Sequence, residues 1–264
     1  MQGHFTIWVL PTYMKVASQK AAALLRNTEF DVLFLNLQRD LEGFVEALAE
    51  GAPYEWFMDR LQELKLLREP ISSWEYRSKP ILTVVRGLKQ KRPNFKVWCY
   101  KQLSFAQLTA ELAEKIARLV FRLISTGKMY SRDWRNLLQG FVEASSDAIE
   151  DEAKYIMERF DPNALSICIS DFYGRDLKEK LKRGGLDAGL DYIFLPYHFT
   201  PLEILVRECG KERSKGLTMS DCRLFELAKA HAEFIRGYVV TSEDYDEAYF
   251  RWLHDEAKWL RLPT

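Results

Sequence analysis

Polar side chains gather where five short apolar runs give way to helix-like stretches. They are Thr12 and Tyr13, Asn36, Gln38 and Arg39, Tyr100 and Lys101, Asp171 and Tyr173, and Tyr197 and His198. The set is rich in hydrogen-bonding groups and poor in pairs that would activate a nucleophile. One acid–base pair is conceivable, Asp171 with His198, because a carboxylate can hold an imidazole in the tautomer that accepts a proton. The expected ligand-binding set is Thr12, Tyr13, Asn36, Arg39, Lys101, Asp171, Tyr173 and His198, facing a small polar or phosphorylated ligand.

Other chemistries find less footing. The four histidines, His4, His198, His231 and His254, are far apart, and none has the spacing that puts two metal ligands on one helical face. No metal and no cofactor is expected. Neither phosphate-binding glycine motif is present, nor the G-x-S-x-G nucleophile turn. A second surface presents itself between Tyr76 and Lys101, where no acidic residue occurs. There Arg86, Lys89, Lys91, Arg92 and Lys96 interleave with Phe95, Trp98 and Tyr100, just after Trp74. Cations for phosphates and aromatic faces for bases are what single-strand recognition needs, so Arg86, Lys89, Lys91, Arg92 and Trp98 form a candidate nucleic-acid set.

The apolar runs themselves are Phe5–Leu10, Asp31–Leu37, Phe95–Tyr100, Ala164–Ser170 and Tyr192–Pro196. Continuous apolar runs alternating with helices argue a mostly parallel sheet of about five strands flanked by helices, an α/β fold. Such sheets bind ligands outside the carboxyl ends of their strands. Helices are expected at Met14–Arg26, Asp40–Ala49 and Tyr54–Leu67, with a turn at Lys79-Pro80 before a helical Ile81–Leu88. A long helical stretch over 104–160 opens on Ser104 as N-cap with Gln107 as its capping-box partner, and breaks near Gly140. Three helices close the chain, the last with Tyr245, Tyr249, Trp252 and Trp259 on one stripe. The whole reads as one domain over 1–264, with a helical insertion at 104–160 and a C-terminal helical segment at 201–264.

Composition sets the outer bounds. At 264 residues, 47% of them hydrophobic, the chain can bury a large core. A net charge of zero supplies no whole-molecule field toward nucleic acid or anionic membrane. No apolar run approaches the length that spans a bilayer, and Met1–His4 lacks the basic start of a signal peptide. A soluble, cytoplasmic protein is expected. Cys99, Cys168, Cys209 and Cys222 are isolated in sequence, which suits free thiols in a reducing compartment. The 29% of charged residues is of thermophile type.

The order of these segments resembles the erythromycin esterase / ChaN / TraB (pheromone-shutdown) superfamily. Thr6–Leu10, the turn Pro11–Met14 and the strand Val32–Leu37 stand where that family has its first strand, histidine turn and second strand. Further on, Glu150–Met157, Leu165–Ser170, Asp171–Gly174 and Leu177–Gly184 follow the family's helix, strand, second turn and helix. The likeness covers roughly residues 5–200 and implies the fold. The family's histidines are replaced by Tyr13 or Met14 and by Phe172 or Tyr173, its strand-end glutamate by Asn36, and its arginine by Glu150. Those departures argue against the family's hydrolytic chemistry.

The first expectation is therefore a non-catalytic α/β binding protein with a polar cleft at the strand ends. The alternatives are a nucleic-acid partner using 74–101, and a hydrolase with a rearranged site at Asp171 and His198.

Overall fold

A computed structural model describes residues 4–67 and 69–256. The chain divides into two compact units, one built from residues up to 107 and 146–195, the other from 108–145 and from 196 onward. The helical stretch of 104–160 is thus shared between them.

The first unit holds the sheet. Its strands are β1 (Phe5–Val9), β2 (Val32–Gln38), β3 (Lys96–Lys101), β4 (Ser166–Ser170) and β5 (Ala188–Tyr192), all parallel, in the order β3-β2-β4-β1-β5. Between β1 and β2 lies α1 (Lys15–Asn27). Between β2 and β3 come a 3₁₀ turn (Arg39–Leu41), α2 (Glu42–Glu50), α3 (Tyr54–Glu63) and α4 (Ile71–Lys91). After β3 follow α5 (Leu103–Thr126) and α6 (Ser131–Arg159), and α7 (Gly174–Arg183) joins β4 to β5. The chain steps one way across the sheet from β1 to β3 and the other way from β3 to β5. Right-handed crossovers then put α1 to α4 on one face and the second half of α6 with α7 on the other. The packing agrees: α4 lies against α1 and α2, while Ile149, Ala153 and Ile156 of α6 and Leu177 and Leu181 of α7 share a core with Phe5, Ile7, Val9, Val32 and Phe34.

Several boundaries differ from the sequence reading, each for a physical reason. β5 is Ala188–Tyr192, not Tyr192–Pro196. It is an edge strand paired only with β1, and Gly189, Asp191 and Tyr192 are exposed, so its sequence is not an apolar run. Consequently Tyr197 and His198 are not strand-end residues. Helix α4 runs through Pro80 without a turn. The lost N–H is outweighed by one buried stripe, Trp74, Ser78, Ile81, Leu82, Val85 and Leu88. Gly140 lies inside a continuous α6, and Ser104 inside α5, where the Ala106 N–H already bonds the Gln102 carbonyl. Helix α3 stops at Glu63, and Lys65 takes the left-handed conformation usual for a helix end (φ 51°).

The second unit is helical. It contains most of α5, the first half of α6, then α8 (Pro201–Ser214), α9 (Asp221–Phe234), a short π-helical segment (Ile235–Val239) and α10 (Tyr245–Glu256). Leu112, Ile116, Val120, Trp134, Leu205 and Leu224 are among its core residues. Tyr249 and Trp252 of the aromatic stripe are buried, and Trp259 lies outside the described residues. His231 of α9 is buried too, and its Nδ1 has no partner among the described residues.

Burial holds that imidazole down from 6.5 to about 4. The unfolded chain therefore binds a proton that the folded unit excludes. Stability is retained above the ordinary histidine value and lost as pH falls toward 4, by roughly 3 kcal/mol. His231→Leu is expected to flatten this acid limb when urea unfolding is followed between pH 7 and pH 4, at about the values cited. An unchanged limb would assign the acid sensitivity to other groups.

Candidate functional site

Strand order gives the switch point of the sheet, where α/β proteins open a crevice. β4 lies between β2 and β1, and the connections leaving β4 depart to the face opposite those leaving β2 and β1. Loops that separate in this way leave a cleft above the carboxyl end of the sheet. Over β3, β2 and β4, that end is where the polar residues collect.

Local structure aims them there. β2 and β3 keep register from Val32↔Lys96 to Leu35↔Cys99, and then pairing jumps to Gln38↔Lys101. The extra residue is a bulge around Asn36 and Leu37, and bulges re-aim side chains. The Asn36 amide donates across to Asp171 Oδ2 at 3.3 Å. Asp171 follows β4 directly, and its Oδ1 accepts the Tyr173 N–H at 2.9 Å, fixing the carboxylate at the start of α7. Lys101, the last residue of β3, brings its ammonium to 3.1 Å from Glu152 Oε2 and 3.6 Å from Asp171 Oδ2. Glu152 comes from α6, whose second half crosses this face of the sheet.

A second layer surrounds this triad. Arg39, just past β2, donates to the Tyr100 carbonyl at 3.2 Å and to Asp151 Oδ2 at 2.6 Å. Its guanidinium lies 4.1 Å from the centre of the Tyr155 ring. The Tyr155 hydroxyl donates to Glu42, which also accepts the Cys99 N–H at 3.0 Å. Side-chain exposure falls from 39% at Asp151 and 29% at Arg39, through 19% at Asp171 and 11% at Lys101, to 2% at Glu152. The outer residues meet solvent and the Lys101–Glu152 pair forms the floor.

Burial sets the protonation of that floor. It raises the Glu152 carboxyl from 4.5 to about 7; the neighbouring Asp171 adds to this, and Lys101 and Arg39 pull against it. Burial would lower the Lys101 ammonium, but Asp171 and Glu152 outweigh it and hold that group above its ordinary value. Lys101 is therefore held in its ammonium form. Because the fold binds the Glu152 proton more tightly than the unfolded chain, the associated stability is complete below 4.5 and is lost as pH rises through about 7. Glu152→Gln is expected to remove this decline from a plot of urea midpoint against pH. A wild-type decline that survives the substitution would show that another group causes it.

Of the sequence-predicted ligand set, Asn36, Arg39, Lys101 and Asp171 are brought together here. Thr12 and Tyr13 form the half-buried turn after β1, and Tyr173 stands next to Asp171, its ring 4.6 Å from that of Phe172. His198 belongs to the second unit, where its backbone N–H and carbonyl both bond the Tyr249 hydroxyl. Asp171 belongs to the first unit and is engaged by Asn36, Lys101 and the Tyr173 N–H.

The basic segment is differently disposed. Trp74, Phe95 and Tyr100 are core residues with no face for a base. Arg92 donates to the Thr28 and Phe30 carbonyls, and Lys89 to the Phe95 carbonyl while pairing with Glu50. Arg86 and Lys91 are exposed, and Trp98 is half-buried with Arg159 5.3 Å from its ring centre.

Glu152, Asp151, Glu42 and Tyr155 escaped the sequence reading. A signal for Glu152 existed: it shares a stripe with Ile149 and Ile156, so a carboxylate interrupts an otherwise apolar helical face. Among the described residues, no group of three or more histidine, cysteine or acidic side chains is placed to hold a metal ion. No helix among them is long and apolar enough to cross a membrane.

Set against known proteins, the chain matches no family model, no curated protein and no solved structure.

Proposed function

We propose that the protein binds a small polar ligand at the carboxyl ends of β2, β3 and β4, without chemistry of its own. The observation that carries this reading is the graded cluster: partly exposed Asn36, Arg39 and Asp171 above a buried, hydrogen-bonded Lys101–Glu152 floor. A ligand entering the crevice meets donors and acceptors already held in place by one another and by backbone bonds, so little ordering entropy opposes binding. No side chain in the cluster is an activated nucleophile. Among the described cysteines, Cys99 and Cys168 are buried and free, which supports a reducing, cytoplasmic setting.

The test is ligand-observed NMR against a mixed panel of amines, amino acids, sugars and phosphorylated metabolites. Wild type is compared with Asn36→Ala and Asp171→Asn. At least one panel member is expected to bind wild type and to lose about tenfold in affinity in each variant, the size of one charge-assisted hydrogen bond. Binding indifferent to both substitutions, or no binding across the panel, overturns the reading.

A further inference from the structure

We propose that the ligand of this crevice carries a protonated amine, received by Asp171 and the carboxylates around it. The inference rests on the binding reading above and narrows it to one class of ligand. Three observations carry it.

The first is the balance of charge. Once Glu152 is ionised, above about pH 7, Glu42, Asp151, Glu152 and Asp171 outnumber Arg39, Lys101 and Arg159, which lies on the Tyr155 ring. Lys101 is committed to Glu152 and Asp171, and Arg39 engages the Tyr100 carbonyl through Nε and Asp151 through Nη2. A phosphate would enter beside the Asp151 and Asp171 carboxylates, which repel it.

The second observation is independent of that count. Glu152 is 1% exposed, and its Oε1 has no hydrogen-bond partner among the described residues. A buried carboxylate oxygen without a donor is costly, and a ligand N–H or a water carried in with it would satisfy it. The third is the aromatic lining. The Phe172–Tyr173 ring pair stands beside Asp171, and Lys101 lies 5.9 Å from the Phe105 ring centre. Together with Arg39 over Tyr155, the site's own cations already rest against aromatic faces, which is how ammonium groups are held when partly desolvated.

The test uses three probes on the full chain by isothermal titration: putrescine, 1,4-butanediol as its uncharged counterpart of matching length, and inorganic phosphate. Putrescine is expected to bind, and butanediol and phosphate to bind at least about tenfold more weakly, the value of a charged hydrogen bond. Asp171→Asn keeps the side chain's size and its acceptor for the Tyr173 N–H, and is expected to weaken putrescine by about tenfold or more. Should that variant fail to fold, Asp151→Asn, at a more exposed position, serves the same comparison. Butanediol or phosphate binding that depends on Asp171 overturns the amine inference and leaves the crevice reading standing. Putrescine binding equal in wild type and variant marks a general acidic surface and overturns the inference. Absence of putrescine binding also overturns it, while the mixed panel separately judges the crevice.

Discussion

Lys101→Met is expected to lower the unfolding free energy by about 3–5 kcal/mol at pH 8, the usual result of removing one partner from a buried ion pair. The ammonium is held by Glu152 and Asp171, and Glu152 is the most deeply buried charge in the site. Without Lys101, Glu152 must either remain ionised with no counter-ion or take up a proton against the bulk pH. The loss should therefore shrink as pH falls below about 7, where Glu152 is already protonated. Adding Glu152→Leu should restore much of the stability, because an apolar pair of similar volume replaces an ion pair whose desolvation consumes most of its attraction. Urea unfolding of both single variants and the double variant, at acid and alkaline pH, closes the cycle. A small loss independent of pH would show that Lys101 and Glu152 are not coupled as the geometry indicates.

Gly174→Ala is expected to be the most damaging single methyl addition at this end of the sheet. A Cβ there would lie 2.5 Å from Val9 Cγ2 and 3.3 Å from Ile7 Cγ2. Both neighbours are β-branched, buried and fixed in β1, so neither can rotate away. Relief requires α7 to lift from the sheet, costing about 1–3 kcal/mol or more. Because α7 begins next to Asp171, the same shift should weaken ligand binding. Gly184→Ala is the control: its added Cβ meets the Met157 thioether, the far end of a flexible side chain, and the cost should be smaller. Val9→Ala combined with Gly174→Ala should be less destabilised than the sum of the two. Calorimetric midpoints of the four variants decide it, and strict additivity would remove the proposed clash.

The sequence by itself determined the α/β class, the parallel sheet and four of its five strands. Phe5–Val9, Val32–Gln38, Lys96–Lys101 and Ser166–Ser170 are buried on both faces or nearly so, and burial on both faces writes itself as an apolar run. Ala188–Tyr192 exposes Gly189, Asp191 and Tyr192, unlike the other edge strand β3, so it left no such run, and the apolar Tyr192–Pro196 drew the assignment instead. Asn36, Arg39, Lys101 and Asp171 were legible because a residue at a strand's carboxyl end is placed by local chain direction alone. Glu42, Asp151, Glu152 and Tyr155 were not, since their place depends on α2 and α6 packing over the sheet from far along the chain. Pro80 and Gly140 misled for a related reason: local propensity marks a break, but buried stripes on α4 and α6 outweigh about 1–3 kcal/mol of local cost. Strand order was decided by the tertiary structure alone. It seats β4 between β1 and β2, bringing Asp171 within reach of Asn36 and Lys101, because crossover direction and register join residues that no spacing along the chain relates.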